Sequence, residues 1–219
     1  GKYYRVYTVL CTRSGNRILY SDDFGQTWNV LGKNVAEAAP RGDEAKVEEL
    51  PDGNVLLSSR TMGGRYINIY SYNDKKTATG SWGKVVASEA QNLGVAAHKN
   101  ACNGEVLIVD AKKNGKKVKL LLQSVPVGPG RTNVGIYYKA LETPADYATP
   151  EAIAKNWEGC YQLSNTTSAY STMVQGKNGS IYFLLEENAF KNPKTQTDDY
   201  YDIRFYDLSI EQITNNRYK

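Results

Sequence analysis

The 219-residue sequence contains little histidine, little cysteine and no long hydrophobic run. Its three cysteines, Cys11, Cys102 and Cys160, are an odd number without close spacing. They indicate neither a disulfide framework nor a zinc site, although one cysteine pair plus a free thiol is compatible with them. No stretch approaches the roughly 20 apolar residues that a membrane helix needs. We therefore expect no membrane span, and the sequence indicates no metal and no other cofactor.

Charge of one sign is also scarce. Lys and Arg number 27 against 23 Asp and Glu, and the net charge of +4 is interleaved along the chain. Nucleic-acid-binding domains concentrate basic residues on one face, so we expect a mixed, solvated surface and no nucleic-acid partner. With 41% hydrophobic and 23% charged residues, the composition is that of a globular protein and not of a disordered chain.

The composition is typical of strands and tight turns, with 17 Tyr and 19 Gly. Short β-branched and aromatic runs end at Gly, Pro, Asn or Asp, and three hairpins are predicted around residues 51–54, 112–115 and 176–179. One short helix is predicted at residues 149–155, capped by Thr149 with Pro150 in its first turn. The pattern predicts an all-β domain, which can be a sandwich, a barrel or a propeller.

An eight-residue motif favours one of these folds. Residues 21–28 fit the pattern S-x-D-x-G-x-T-W. We expect Asp23 to accept hydrogen bonds from turn N–H groups, Gly25 to be left-handed and Trp28 to pack beneath the loop. The motif resembles the Asp box of the sialidase superfamily of β-propellers, where it is an element of the fold. We therefore do not place it in the active site.

Glu44 and Arg60 lie eight positions before and after Asp52. A hairpin closed at Asp52 places them nearly opposite each other at the end remote from the turn, and by spacing alone a surface ion pair accounts for them equally well. Residues 42–60, however, resemble the sialidase stretch in which an acidic residue precedes E-L-P-D-G and an Arg ends the return strand. The resemblance makes Glu44 the carboxylate that activates the nucleophile and Arg60 a member of the substrate-binding arginine triad. Glu48 and Glu49, closer to the turn, are expected to face solvent or outer strands.

Two later segments extend the resemblance. Residues 128–138 are similar to the R-x-N stretch of sialidases, which makes Arg131 a second triad member, and residues 168–186 are similar to their Y-S-x-L…D-G…L-Y-E segment, which puts Tyr170 at the nucleophile. Clustered guanidinium groups can bind and orient the carboxylate of sialic acid. A neutral phenol suits an anomeric carbon that carries its own carboxylate, because a carboxylate nucleophile would be repelled.

The resemblance to the bacterial-type exo-α-sialidases implies an all-β, six-bladed β-propeller, of which this chain would hold about four blades. It implies retaining hydrolysis of terminal sialic acids from glycoproteins, glycolipids and oligosaccharides, with Tyr170 as the nucleophile. The N-terminal motif that carries the first triad Arg and the acid/base Asp of the family does not occur in this sequence. We therefore expect residues 1–219 to be a partial propeller domain, completed by the missing N-terminal portion, in a secreted or periplasmic enzyme.

Two other interpretations remain open. A catalytically inactive, carbohydrate-binding propeller could keep the arginines for an anionic sugar. A different Asp-box protein, such as a plant-polysaccharide hydrolase, would not need the set of Glu44, Arg60, Arg131 and Tyr170 in this order. Weaker features are Cys102 and His98. Cys102 lies in a segment similar to a C-x-G turn that helps to wall the substrate pocket, and a small buried Cys in a turn accounts for it equally well. His98 is expected in a loop or in the core.

Overall fold

A computed structural model describes residues 4–12, 14–33, 38–40, 42–61, 64–90, 102–188 and 201–219, and His98 lies outside these ranges. The described residues form four antiparallel sheets. The first contains β1 (Val6–Thr12), β2 (Gly15–Ser21) and β3 (Asn29–Val30), with β4 (Ala39–Pro40) paired to β2. The second contains β5 (Ala45–Glu49), β6 (Val55–Thr61), β7 (Gly64–Asp74) and β8 (Thr79–Trp82), with β9 (Val86–Ala87) paired to β7.

The third and fourth sheets follow the same order of neighbouring strands. The third contains β10 (Val106–Lys113), β11 (Lys116–Pro126), β12 (Val134–Leu141) and β13 (Gly159–Gln162). The fourth contains β14 (Ser168–Gln175), β15 (Ile181–Glu187) and β16 (Asp202–Leu208). The described helices are α1 (Pro150–Ala154), α2 (Ile210–Thr214) and a 3-10 turn at Pro144–Asp146. Within the described residues the fold is thus nearly all β, as the composition predicts.

Three apolar layers hold the four sheets together as consecutive blades of a propeller. Ile18 and Leu31 of the first blade pack with Val55 and Leu57 of the second. Leu56, Ile67 and Ile69 face Val106 and Leu121 of the third blade. Leu120, Leu122 and Ile136 face Met173, Phe183 and Leu185 of the fourth. The strands β6, β11 and β12, which have a paired strand on each side, therefore bury both of their faces, and this explains their continuous apolar runs.

The predicted turns form with the expected chemistry. The three predicted hairpins join β5 to β6, β10 to β11 and β14 to β15. Gly53 and Gly115 have φ values of +81° and +80°, which a residue with a side chain rarely adopts. Thr149 caps α1 by accepting a hydrogen bond from the N–H of Ala152 at 3.2 Å, with Pro150 in the first turn. These local predictions are confirmed.

The turn at residues 21–28 is a self-contained hydrogen-bonded loop. Asp23 accepts from the N–H of Thr27 at 2.8 Å and from its hydroxyl at 2.6 Å, and these bonds lower the pKa of the Asp23 carboxyl to about 2. Gly25 has φ +89°, and its carbonyl accepts from the indole N–H of Trp28 at 3.1 Å, although Trp28 stays 41% exposed. The loop follows Ser21, at the opposite end of β2 from Asn16, whose side-chain amide donates to the backbone oxygen of Asp43 at 2.8 Å.

The sequence predicts that Glu48 and Glu49 face solvent or outer strands, and Glu48 does not face solvent. Glu49 is exposed, but Glu48 is half-buried and its carboxyl group lies near the backbone N–H of Ile108 in β10. Alternate residues of β5 face the first and third blades, so Glu48 is enclosed by the neighbouring sheet and does not face solvent.

Candidate active site

Glu44 and Arg60 meet at the end of the β5–β6 hairpin opposite its turn, as their spacing predicts. The N–H of Arg60 donates to the backbone oxygen of Glu44 at 2.8 Å, and the Arg60 Nη1 donates to Glu44 Oε2 at 2.6 Å. The carboxylate of Asp43 lies 3.8 Å from Arg60 Nε. The backbone ladder therefore fixes the pair in register and the side chains make a charge-assisted hydrogen bond.

Tyr170 reaches this pair from the fourth blade, 110 positions away from Arg60 in the sequence. Its hydroxyl donates to Glu44 Oε1 at 2.5 Å and accepts from Arg60 Nη1 at 2.8 Å. The pairing of β14 with β15 shifts register between Ser168 and Ser171. Such a bulge redirects a side chain, and here it lies at the position of Tyr170.

Arg131 approaches Tyr170 from the third blade. It is exposed in the loop before β12, and its guanidinium carbon lies 5.6 Å from the centre of the Tyr170 ring, while that of Arg60 lies at 6.0 Å. The backbone oxygen of Arg131 accepts from the N–H of Ser168 at 2.9 Å, so the loop is attached to the beginning of β14. The structure thus brings together all four residues that the sequence selects, from three blades.

The protonation of the Tyr170–Glu44 pair is set by competing influences. Partial burial of the Glu44 carboxyl acts to raise its pKa, but hydrogen bonds from Tyr170 and Arg60 and the charge of Arg60 lower the pKa overall. The hydrogen bond to Glu44 and partial burial raise the pKa of Tyr170, against the opposing effect of Arg60. At neutral pH the carboxylate is therefore an anion that accepts a hydrogen bond from the neutral phenol, which is the arrangement of a base next to a nucleophile.

Two residues that the sequence reasoning did not select, Glu186 and Asn103, lie beside Tyr170. Glu186 Oε2 accepts from the N–H of Tyr170 at 3.3 Å. Asn103 lines a cavity of about 210 Å³ together with Tyr170 and Glu186. The position of Glu186 at the end of the L-Y-E-like segment is a signal for it, whereas nothing in the sequence marks Asn103.

Arg65 is bonded to Cys102, the residue that precedes Asn103. Its side chain is buried, donates to the hydroxyl and the carbonyl of Ser58 at 2.8 and 2.7 Å, and donates to the Cys102 carbonyl at 3.0 Å. Burial raises the pKa of the Cys102 thiol to about 12, so Cys102 is a packed thiol with no nucleophilic character at neutral pH. An Arg within a strand of apolar residues, as in β7, is the only sequence signal for these contacts.

Among the described ranges, no group of three or more His, Cys, Asp or Glu side chains is arranged to hold a metal ion. No helix in the same part of the chain is long and apolar enough to cross a membrane.

Comparisons with known proteins identify the fold through solved structures. No protein-family model and no curated protein sequence matches the chain. The chain is similar to the intramolecular trans-sialidase from Ruminococcus gnavus, with a TM-score of 0.65 and 19% identity over 96% of this chain and 41% of that one. It is similar to the NanB sialidase from Streptococcus pneumoniae, with a TM-score of 0.67 and 19% identity over 96% of this chain and 30% of that one.

A third similarity leads to another glycosidase with this type of fold. The GH93 α-L-arabinofuranosidase of Fusarium graminearum gives a TM-score of 0.54 and 18% identity over 91% of this chain and 56% of that one. The chain thus spans well under two thirds of the length of the proteins that it matches. At these identities the likeness shows the fold, and the chain has the sialidase-type β-propeller fold that its motifs predict.

Proposed function

We propose that the protein to which this chain belongs is a retaining glycoside hydrolase, and specifically an exo-α-sialidase that removes terminal sialic acids from glycans. The observation that carries the proposal is the hydrogen bond of 2.5 Å from the Tyr170 hydroxyl to Glu44, with Arg60 Nη1 bonded to both groups. A phenol in contact with an ionised carboxylate is an activated nucleophile. Glycosidases with a Tyr nucleophile are a restricted class to which sialidases belong.

The first chemical step transfers the sugar to Tyr170. The phenolic oxygen attacks the anomeric carbon while its proton passes to Glu44 Oε1, and the bond from that carbon to the leaving oxygen breaks. In the second step water attacks the same carbon and gives one proton to the general acid that had protonated the leaving oxygen, the bond to Tyr170 breaks, and the proton on Glu44 returns to the phenolic oxygen. Two inversions at one carbon retain the configuration.

Arg60 and Arg131 are the groups proposed to bind the sugar carboxylate. Both guanidinium carbons lie within 6.0 Å of the centre of the Tyr170 ring, and Tyr170 is the residue that would form the covalent bond. A carboxylate between two guanidinium groups is oriented by charge-assisted hydrogen bonds. This requirement favours an anionic sugar over the neutral arabinofuranose that the name of the GH93 neighbour indicates for that enzyme.

The complete reaction needs a proton donor for the leaving oxygen and, by the resemblance, a third arginine. We propose that both come from the missing N-terminal portion of the same propeller, and that the whole protein is secreted or periplasmic, where sialylated glycans are accessible. Loss of a general acid typically costs a factor of roughly 10² to 10⁴ in rate. The catalytic activity is therefore a property of the longer polypeptide.

The test is hydrolysis of an aryl α-sialoside by the full-length protein and its variants. We expect Tyr170→Phe and Glu44→Gln each to lower kcat by roughly 10² to 10⁴. Tyr182→Phe, on the neighbouring strand β15, is the control and should keep normal turnover. A fluorinated sialosyl fluoride, which slows the second step, should leave a covalent adduct that mass spectrometry locates on Tyr170.

Three outcomes contradict the proposal. Near-normal turnover in both variants excludes the assigned roles of Tyr170 and Glu44. Hydrolysis of an aryl α-L-arabinofuranoside in place of the sialoside favours an arabinofuranosidase. Sialoside binding without turnover in the full-length protein favours the catalytically inactive, carbohydrate-binding propeller.

A further inference from the structure

Positive charge is concentrated at the end of the β10–β11 hairpin. Five lysines lie on either side of its turn, and Lys219 is attached to β10 by two backbone hydrogen bonds with Lys112, of 2.5 and 2.9 Å. We call these six residues the lysine cluster: Lys112, Lys113, Lys116, Lys117, Lys119 and Lys219. The surface charge is therefore not evenly mixed, in contrast to the expectation from the sequence.

Two adjoining cavities lie within the lysine cluster. The larger, of about 610 Å³, is lined by Lys113, Lys116, Lys117 and Lys119, and the smaller, of about 310 Å³, by Lys112, Lys117 and Lys219. Asp110 and Glu142 are the carboxylates that line them. Six lysines and two carboxylates leave an excess of four positive side-chain charges, which equals the net charge of the whole chain.

The lysines are placed against one another more than against acidic partners. Lys113 pairs with Glu142 at 2.6 Å and Lys119 with Asp110 at 2.9 Å, both as exposed ion pairs that stabilise little. No acidic side chain of the described ranges pairs with the other four. Lys112 lies directly opposite Lys117, and Lys113 directly opposite Lys116. Like charges at opposed positions destabilise a strand pair, so the hairpin carries a repulsion that a bound anion would relieve.

This surface is separate from the candidate active site. Asn103 and Glu105, just before β10, lie next to the residues around Tyr170, and Thr172 donates to Glu105. The lysine cluster lies at the other end of β10, eight residues further along. At roughly 3.3 Å per residue, the two places are about 25 Å apart. A ligand in the cavities would leave the Tyr170 site open.

We propose that the lysine cluster is a second, non-catalytic binding site for an anionic polysaccharide that carries sulfate or carboxylate groups. The larger cavity falls within the range of about 300 to 1,000 Å³ typical of small-ligand sites. Ammonium groups bind sulfate and carboxylate oxygens as point charges on adaptable stems.

The composition of the cavities favours a polysaccharide over other polyanions. Among the lining residues described, none is Arg, and Tyr147 is 8% exposed, so no aromatic platform is available for stacking of nucleic-acid bases. A membrane-surface site would present exposed Trp, Phe or Leu side chains beside the lysines, and the lining residues include no such exposed side chain. The concave shape also suits a chain-like ligand better than a lipid surface.

The test is binding of heparin and of polygalacturonate to the full-length protein by calorimetry, at low and at high salt. We expect at least one of them to bind, and more weakly at high salt because exposed charges are screened. The double variant Lys116→Glu with Lys117→Glu should lose at least about tenfold in affinity. Because each new Glu lies opposite a lysine, the same variant should unfold at an equal or higher temperature.

The matched control is Lys84→Glu with Lys155→Glu, which makes the same change in net charge at two exposed lysines that line neither cavity. This control should keep the wild-type affinity. Three results would overturn the proposal: no binding of either polysaccharide, equal losses in both double variants, or equally tight binding of duplex DNA or phosphatidylserine vesicles. Sialoside turnover is measured separately, so a failure of this site and a failure of the proposed enzyme function are distinguishable.

Discussion

The Tyr170 hydroxyl and the Glu44 carboxylate share a short hydrogen bond, and Arg60 sets the balance of protons between them. The Arg60 guanidinium lowers the pKa of Glu44 through a hydrogen bond and through its charge. It also counteracts the rise in the pKa of Tyr170. Arg60 therefore has two tasks in the proposed reaction, because it keeps the base ionised and it contacts the substrate carboxylate.

Replacement of Arg60 should be visible in the pH profile of the full-length enzyme. The base must be ionised in the free enzyme, so the acid limb of kcat/KM follows the pKa of Glu44. In Arg60→Ala that pKa rises, and the acid limb should move to higher pH. Arg131→Ala should lower kcat/KM by roughly tenfold or more through lost carboxylate binding and leave the acid limb in place. Identical shifts in the two variants would exclude the separate role of Arg60.

The buried Arg65 gives a second test at this scale. Its guanidinium reaches from the second blade to the carbonyls of Ser58 and of Cys102, which precedes the third blade. Arg65→Lys loses the planar arrangement of donors and leaves a buried carbonyl unpaired, which costs about 1–3 kcal/mol. Urea unfolding of the full-length protein should show this loss, whereas Arg204→Lys on β16 should stay within about 0.5 kcal/mol of wild type. An equal stability of both variants would contradict the stabilising role of Arg65.

The residues of the site were predictable to different degrees. The meeting of Glu44 and Arg60 follows from counting along a hairpin, because strand register carries the geometry. Tyr170 is one of 17 tyrosines, and only its motif selects it, since its approach to Glu44 depends on the packing of separate blades. Arg65 was not predictable in this way, because its burial depends on the Cys102 loop and not on its neighbours in the sequence.

At the scale of single elements, the contact between β5 and β10 contains a half-buried acid, Glu48. Burial raises the pKa of Glu48 to about 7, with Glu105 and Glu49 adding to the rise and the Ile108 N–H and Lys119 opposing it. The hairpin turns of these strands were predictable because Gly and Asn mark them. The direction of Glu48 was not, since the sequence of β5 does not say which neighbouring sheet covers each face.

The half-buried Glu48 makes stability depend on pH. The folded-state pKa of Glu48 lies above its ordinary value of 4.5, so its protonated form fits the fold and stability falls as the pH rises from about 4.5 towards 7. Glu48→Gln keeps the neutral shape, and it should stabilise the protein at pH 7.5 by about 1–2 kcal/mol and leave it nearly unchanged at pH 4. Thermal unfolding at several pH values measures this. Glu49→Gln on the exposed face should leave the slope as in wild type, and a parallel slope in Glu48→Gln would refute the assignment.

At the scale of the whole molecule, the fourth blade presents an apolar face to solvent. Ile203 is 67% exposed and Phe205 61% exposed, and Val174 and Leu184 lie on the same side of the sheet. Ile203 and Leu184 also line the cavity that contains Tyr170. The number of blades was predictable from the chain length per blade. The sheet faces that remain exposed to solvent were not predictable, because exposure depends on how the blades pack against one another.

We propose that a further sheet of the same longer polypeptide covers this face and completes the wall of the Tyr170 cavity. Such a cover would bury Ile203 and Phe205, each worth about 1.5–3 kcal/mol when removed from water. Ile203→Ser with Phe205→Ser should therefore destabilise the full-length protein by about 3–6 kcal/mol in urea unfolding. The isolated chain should lose little stability and should self-associate less, because the double variant removes an exposed apolar patch.

The same double variant is thus expected to lose stability in the full-length protein and to self-associate less as the isolated chain. Phe24→Ser is the control, because Phe24 is 82% exposed at the tip of the turn at residues 21–28 and belongs to no blade face. It should leave the stability of both preparations within about 0.5 kcal/mol of wild type. If Ile203→Ser with Phe205→Ser is as mild as Phe24→Ser in the full-length protein, the face remains exposed there, and the cavity around Tyr170 is completed by a ligand or by loops of the described blades and not by another sheet.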